Sequence, residues 1–184
     1  MASGEHGAVR WQHDMVQLRP IGWVSSPRAE PMDDDWGGVT ATVRLDGDWC
    51  TSDALRGLDE FSHVEVVYVF DRVDPAGVHT GARRPRGNPD WPEVGIFAQR
   101  AKSRPNRIGV SICRLVAVDG LTVTVRRLDA IDGTPVVDMK PYMTELAARG
   151  EVRQPAWSHQ LMAGYWTPVP DERSPGSSAP AATP

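Results

Sequence analysis

IGVSICRLVAVDGLTVTVRRL, residues 108–128, is the stretch on which the fold turns. Two β-rich runs, 108–118 and 121–128, flank Asp119-Gly120. That dipeptide favours a two-residue hairpin turn, because both central positions take φ > 0. In the second run Val123 and Val125 alternate with Thr122 and Thr124, the period of two of a half-buried strand. A β-hairpin is expected here, and its neighbours decide what sheet it joins.

Those neighbours also read as strands. GVTATVRL, 38–45, alternates Val39, Ala41, Val43 and Leu45 against Thr40, Thr42 and Arg44. HVEVVYVF, 63–70, is a longer apolar run. VQLRPIGWVSS, 16–26, is β-rich up to Pro27, GIFAQ (95–99) is a short run, and PVVDMKPY (135–142) is stopped by Pro141. Helical signals are few. Thr51-Ser52-Asp53 can cap residues 54–61, and WSHQLMAGYW, 157–166, puts Trp157, Leu161 and Tyr165 on one helical face. The expected fold is mostly β: a small antiparallel or mixed β-barrel with two or three short helices. Closure is the economical way to protect so many strand edges.

The chain has 184 residues, enough for one well-cored domain. Residues 1–15 read as a flexible leader, 16–166 as the barrel domain, and 167–184, rich in Pro, Ala and Ser, as a disordered tail. With 40% apolar residues and a mean hydropathy of −0.38, no membrane span is expected. The N-terminus lacks the apolar core of a signal peptide, so the expected compartment is the cytoplasm. Cys50 and Cys113 are far apart and read as free thiols. The five histidines are scattered, and no protein-ligated metal is expected. The net charge of −4 argues against a non-specific nucleic-acid binder. Yet residues 83–114 hold Arg83, Arg84, Arg86, Arg100, Lys102, Arg104, Arg107 and Arg114, a local basic face that could meet one phosphate-bearing partner.

The glycine-rich phosphate loops, nucleophile elbow and paired-histidine metal motifs are absent. Candidate chemistry lies instead in four irregular segments. In SRPNRIG (103–109), Pro105 and Asn106 make a stiff turn that presents Arg100, Arg104 and Arg107, while Gly109 allows close backbone approach or positive φ. Guanidinium groups so grouped suit a carboxylate or phosphate. The competing reading is a solvated loop before a strand. In LDAIDGTP (128–135), Asp129, Asp132 and Thr134 flank a turn whose carboxylates suit ribose hydroxyls and whose amides suit an adenine edge. An ordinary β-turn is the alternative. Asp138, Lys140 and Tyr142 alternate and share one face if extended, which fits either a salt-bridged strand face or a site that orients a nucleophile. His63 reads as a structural donor. The acidic loop Asp33-Asp34-Asp35-Trp36-Gly37-Gly38 is either a lid over a positive ligand or a hydrophilic turn. The Gly/Arg loop over 78–87 is long enough to be functional or mobile.

IGWVSSP, GLDEFSHVEVVYVF, GIFAQRAKSRPNRIGVSICRL and LDAIDGTPVVDMKPY, in that order, resemble the TrmO (TsaA-like or YaeB-like) family of S-adenosylmethionine-dependent methyltransferases over residues 18–166. The resemblance implies a small β-barrel rather than a Rossmann-like fold, a homodimer with the cofactor near the subunit interface, and N-methylation of threonylcarbamoyladenosine beside the anticodon of tRNA. Carried over by motif, Phe70, Asp71, Arg100, Asp129, Ala130, Ile131, Asp132, Gly133 and Thr134 would contact S-adenosylmethionine. Arg104, Asn106 and Arg107 would meet substrate, and Asp138, Lys140 and Tyr142 would carry catalysis in the shared pocket. The chain differs from the family pattern at three places. Arg107 stands where a second proline is frequent, Asp71 where histidine is common, and PRAEPMDDDWGG replaces the usual APRQ stretch. Longer tRNA-acting members carry a further C-terminal domain, where a helix and a tail are expected here. A small-molecule substrate and a non-catalytic cofactor-binding module stay open beside the tRNA reading.

Overall fold

The computed structural model describes residues 15–166. The expected leader and tail therefore lie almost wholly outside the described residues. The strands are β1 (Gly22–Ser25), β2 (Thr40–Leu45), β3 (His63–Val69), β4 (Ala82–Arg83), β5 (Val94–Gly95), β6 (Ile108–Asp119), β7 (Thr122–Arg126) and β8 (Pro135–Pro141). A single α-helix, α1 (Ala156–Met162), follows among the described residues, with short 3-10 turns between strands.

Six strands close a barrel in the order β1-β2-β7-β6-β3-β8, and each neighbouring pair is antiparallel. Closure leaves no unpaired edge. The alternation read in the sequence sets the inside. Ala41, Val43 and Leu45 from β2, Val64, Val66 and Tyr68 from β3, and Val123 and Val125 from β7 fill the interior with Val24, Cys113 and Val136. The interior is thus a packed core. Each fully buried valine contributes roughly 1.5–3 kcal/mol relative to exposure.

The β6–β7 hairpin forms, with its turn one residue later than the dipeptide suggests. Asp119 pairs with Thr122, so Gly120 and Leu121 are the central residues. Gly120 has φ 56°, and a positive φ at the first central position is the demand of a type II′ turn. An extra residue, Val116, bulges from β6 between Leu115 and Ala117. A second bulge, at Val137 of β8, opposes the step from Val67 to Tyr68. This bulge has a consequence for the site, because it reverses which residues of β8 face outward.

Several local expectations give way. The run 16–26 contributes only β1, because Pro20 cannot donate to the ladder and Pro27 ends the run. Residues 95–99 are not a strand: the two-residue β5 runs into a 3-10 turn at Ile96–Ala98. The helix expected over 54–61 is two 3-10 turns broken by Gly57 at φ 81°. The last helix stops at Met162, so Tyr165 lies beyond it and leaves the face shared with Trp157.

Antiparallel pairing sorts the loops onto two ends. Segments 26–39, 70–107 and 127–134 leave one end of the barrel. The β2–β3 connection and the hairpin turn lie at the other. The residues of SRPNRIG and LDAIDGTP thus meet at one end, as entrance and exit of a single hairpin.

Candidate functional site

At the centre of that end sits the half-buried carboxylate of Asp129, just past β7. Three hydroxyls donate to it. Tyr68 on β3 donates to Oδ1 at 2.8 Å, and Ser111 on β6 donates to the same oxygen. Tyr165, beyond α1, donates to Oδ2. A carboxylate offers about four acceptor positions, so Oδ2 keeps one free for a further donor. Tyr68 is 1% exposed. Burial raises its phenol well above the ordinary 10.0, and the Asp129 charge adds to this. Burial likewise raises Tyr165, again helped by Asp129, while Arg100 and Arg86 partly oppose the shift. Both phenols therefore stay protonated donors. The arrangement fixes a negative charge between neutral hydroxyls with guanidinium groups nearby.

Sequence reading missed Tyr68, Ser111 and Tyr165. Their signal was slight. Tyr68 and Ser111 sit at inward positions of otherwise apolar strands, where a polar group needs a buried partner.

The arginines of SRPNRIG are anchored rather than simply solvated. Arg100 donates to the Val110 carbonyl at 2.6 Å, Arg104 to that of Gln99 at 3.1 Å and Arg107 to that of Val73 at 2.8 Å. Asn106 and Arg107 both take positive φ, 62° and 53°. Gly109 takes the other of its two expected roles, close approach. A Cβ there would lie 2.4 Å from the Tyr68 ring. Phe70 stacks edge-on against Tyr68 at 5.3 Å, and its amide donates to Arg107. Asp71 is exposed at the same rim.

The turn of LDAIDGTP is zipped to the end of β1. The Ser26 amide donates to Asp132 Oδ1, the Asp132 amide to Arg28, and the Gly133 amide to Val24. Arg72 bridges the carbonyls of Ala29 and Asp132. The amides expected to serve a ligand edge are thus used within the chain from Asp132 to Thr134. Ala130 and Thr134 are buried, while Ile131 is half-buried between them.

The acidic loop is held by the chain's own cations. Asp34 pairs with Arg86 at 2.8 Å, Asp33 with Lys102 at 3.7 Å, and Arg28 lies 4.5 Å over the buried Trp36 ring. The loop also pairs by backbone with the C-terminal turn, Asp35 to Gly164 and Trp36 to Tyr165. Trp91 clasps α1 through Gln160 at 2.8 Å and packs on Trp157. Tyr165 is delivered to Asp129 by this clasp.

Asp138, Lys140 and Tyr142 are not brought to Asp129. The Val137 bulge turns Asp138 and Lys140 onto the outer wall, where they form an ion pair with each other. Tyr142 packs on His63 at 6.5 Å, toward the opposite end. That wall also carries exposed Val110 and Ile112. A cavity of about 240 Å³ at the opposite end is lined by Ile21, Leu45, Cys50, Leu55, Leu58 and Met139, with Asp138 at its rim. It is apolar and remote from the Asp129 cluster. Both cysteines are free. Among the described residues no group of His, Cys, Asp and Glu is placed to hold a metal, and no helix is long and apolar enough to cross a membrane.

Residues 26–148 match the family model of the tRNA-methyltransferase O N-terminal domain. The chain belongs to the TrmO N-terminal-domain family. It is 36% identical over 144 residues to a probable S-adenosyl-L-methionine-binding protein of Pyrococcus abyssi, an alignment that takes in 76% of this chain and 74% of that one. It is 42% identical over 98 residues to the tRNA (adenine(37)-N6)-methyltransferase of Escherichia coli, covering 50% of this chain and 40% of that protein. The human enzyme of the same name is 34% identical over 62% of this chain and 26% of its own length. The chain thus spans less than half of either methyltransferase. A crystal structure of TrmO from Pseudomonas aeruginosa superposes with a TM-score of 0.64 at 26% identity, over 80% of this chain and 64% of that one. The TrmO-like barrel expected from the sequence is the fold observed.

Proposed function

We propose that this chain is an S-adenosylmethionine-dependent methyltransferase that N-methylates threonylcarbamoyladenosine beside the anticodon of tRNA, in the cytoplasm. The observation that carries the reading is the convergence at one barrel end of Asp129, clamped by three hydroxyls, with Arg100, Phe70 and Asp71 around it. The names borne by the bacterial and human relatives support the same chemistry.

The residues fit the cofactor. Its carboxylate calls for a guanidinium, and Arg100 is exposed with donors to spare beyond its bond to Val110. Its cationic groups and ribose hydroxyls call for carboxylates, and Asp129 keeps an acceptor position while Asp71 and Asp132 are exposed. Its flat base calls for an apolar surface such as Phe70, beside Ala130, Ile131, Gly133 and Thr134. When bound, the cofactor supplies an activated methyl group on a good leaving group. The protein's work is then positioning and water exclusion. Arg100 holds the carboxylate, the 129–134 turn holds the nucleoside end, and Arg104, Asn106 and Arg107 meet the substrate. No base at Asp129 is needed, because its charge is spent on hydroxyls.

We further propose a homodimer. Val110 and Ile112 are exposed at 37% and 50%, an apolar stretch of the outer wall across β3 from Asp138 and Lys140, with Tyr142 just after them. A second subunit seated there would bring that trio to the partner's Asp129 end, where Asp138 or Tyr142 would orient the nucleophile. The chain's coverage of the archaeal binding protein favours one other reading, a non-catalytic S-adenosylmethionine-binding module.

The test is mass spectrometry of tRNA nucleosides from a deletion strain. The methylated nucleoside disappears if the reading is right, and an unchanged profile sinks it.

A further inference from the structure

Residues 156–165 lie past residues 26–148, the part of the chain that matches the family model. Yet Tyr165 reaches the centre of the site. The acidic loop Asp33-Asp34-Asp35-Trp36-Gly37-Gly38 holds it there. The Asp35 amide donates to the Gly164 carbonyl at 3.1 Å, and the Trp36 amide to the Tyr165 carbonyl at 2.9 Å. The loop is itself firmly seated. Trp36 is 3% exposed. Arg28, stacked over its ring, donates to the Asp34 carbonyl at 2.8 Å and to the Asp35 carbonyl at 2.5 Å. Arg86 grips the Asp34 carboxylate through two bonds, at 2.8 and 2.9 Å.

These bonds close a ring on the turn that leaves β7. The Asp132 amide donates to the Arg28 carbonyl at 2.7 Å. The Arg28 guanidinium holds the acidic loop, and the loop holds Gly164 and Tyr165. The Tyr165 hydroxyl then returns to Asp129, on the same turn as Asp132. The ring decides how the Asp129 carboxylate is aimed. Tyr68 and Ser111 both donate to Oδ1. Two donors on one oxygen let the group pivot about it, because the last torsion of an aspartate is soft. A donor on Oδ2 fixes the plane, and Tyr165 is that donor. Bonds to an ionised acceptor are strong enough to hold one orientation. Tyr165 therefore sets where the remaining acceptor position of Oδ2 points.

We propose that Tyr165 is a positioning residue for the cofactor, acting through Asp129, and that the acidic loop is the seat that keeps it in place. The loop's aspartates are turned to the chain's own cations and its amides to the C-terminal turn. The proposal rests on the methyltransferase reading of the Asp129 end. It adds residues remote in sequence, Arg28 and Tyr165, that control cofactor affinity without being the carboxylate that receives the cofactor.

The experiment measures binding of labelled S-adenosylmethionine by the full chain and by Tyr165→Phe, Asp129→Asn and Arg28→Met. It includes the pairs Tyr165→Phe/Asp129→Asn and Tyr165→Phe/Arg28→Met, with circular dichroism confirming the barrel in each. Arg28→Met keeps the backbone carbonyl that Asp132 uses and removes the guanidinium. Tyr165→Phe and Arg28→Met should each weaken binding severalfold. Residues that act through one another are not additive. The Tyr165→Phe/Asp129→Asn pair should therefore bind no more weakly than Asp129→Asn alone. In the Tyr165→Phe background, Arg28→Met should cost no further affinity. A purely structural role would lower the thermal midpoint and leave the losses additive, and additive losses in either pair would overturn the proposal. Parent-like affinity in Tyr165→Phe, beside a weakened Asp129→Asn, would overturn it while leaving the methyltransferase reading intact. A parent that binds no S-adenosylmethionine would overturn both.

Discussion

The Tyr165 hydroxyl donates to Oδ2 of Asp129, so the turn after α1 closes on the loop leaving β7. Tyr165 reaches that position because the Trp36 amide donates to its carbonyl and Trp91 clasps α1. Tyr165→Phe removes one donor and leaves Tyr68 and Ser111 in place. A hydrogen bond to a charged group contributes about 1.5–3 kcal/mol, reduced here because Tyr165 is only half-buried. Urea unfolding should show a loss of about 1 kcal/mol, and cofactor affinity should fall severalfold.

Tyr68→Phe should cost more. Its hydroxyl is buried and serves both Ser111 and Asp129, and its loss leaves a carboxylate short of a donor. The expected destabilisation is about 1–3 kcal/mol, read in the same assay. A smaller loss than in Tyr165→Phe would contradict this ranking.

Gly109→Ala tests the close approach. The added methyl meets Tyr68 Cε2 at 2.4 Å and Cζ at 2.5 Å, atoms of a buried ring that cannot yield. Overpacking costs about 1–3 kcal/mol. Displacing the ring also moves its hydroxyl, so cofactor affinity should fall together with stability.

Arg107→Pro restores the residue the family often has there. In this chain φ is 53° and the amide donates to Arg104, and proline can satisfy neither. Strain on the order of 1–3 kcal/mol should appear as a lower thermal midpoint. A midpoint at or above the parent's would show that the loop readily adopts another backbone.

Alkaline stability follows from three raised groups. Burial is the first cause for Tyr68, Tyr165 and Cys113, and the Asp129 charge adds to each. Their folded values lie above the ordinary 10.0 for tyrosine and 9.0 for cysteine. The folded state therefore holds these protons more tightly than the unfolded chain. Their contribution is fully present below pH 9 and is lost as pH rises beyond it. Tyrosinate absorbance of two of the three tyrosines should appear only with unfolding.

Much of the barrel was legible because the alternation of Val and Thr in β2 and β7 and the hairpin glycine act locally. The site was legible only in part. Arg100 and Asp129 sit in loops whose residue types already suggested binding, Phe70 was named only through the family resemblance, and hairpin geometry put the two loops at one end. Ser111 and Tyr68 were hidden, because their partner is remote in sequence. The bulge at Val137 could not be read from PVVDMKPY, since strict alternation puts Asp138 on the same face as the buried Val136. The one extra residue moves Asp138 and Lys140 to the outer wall.

The most direct test of the central claim is binding of labelled S-adenosylmethionine to the full chain and to Asp129→Asn, with circular dichroism confirming the barrel in both. Saturable binding by the parent, weakened at least tenfold in Asp129→Asn, is the predicted result. Equal affinity in the two proteins would contradict the placement of the cofactor at the Asp129 end.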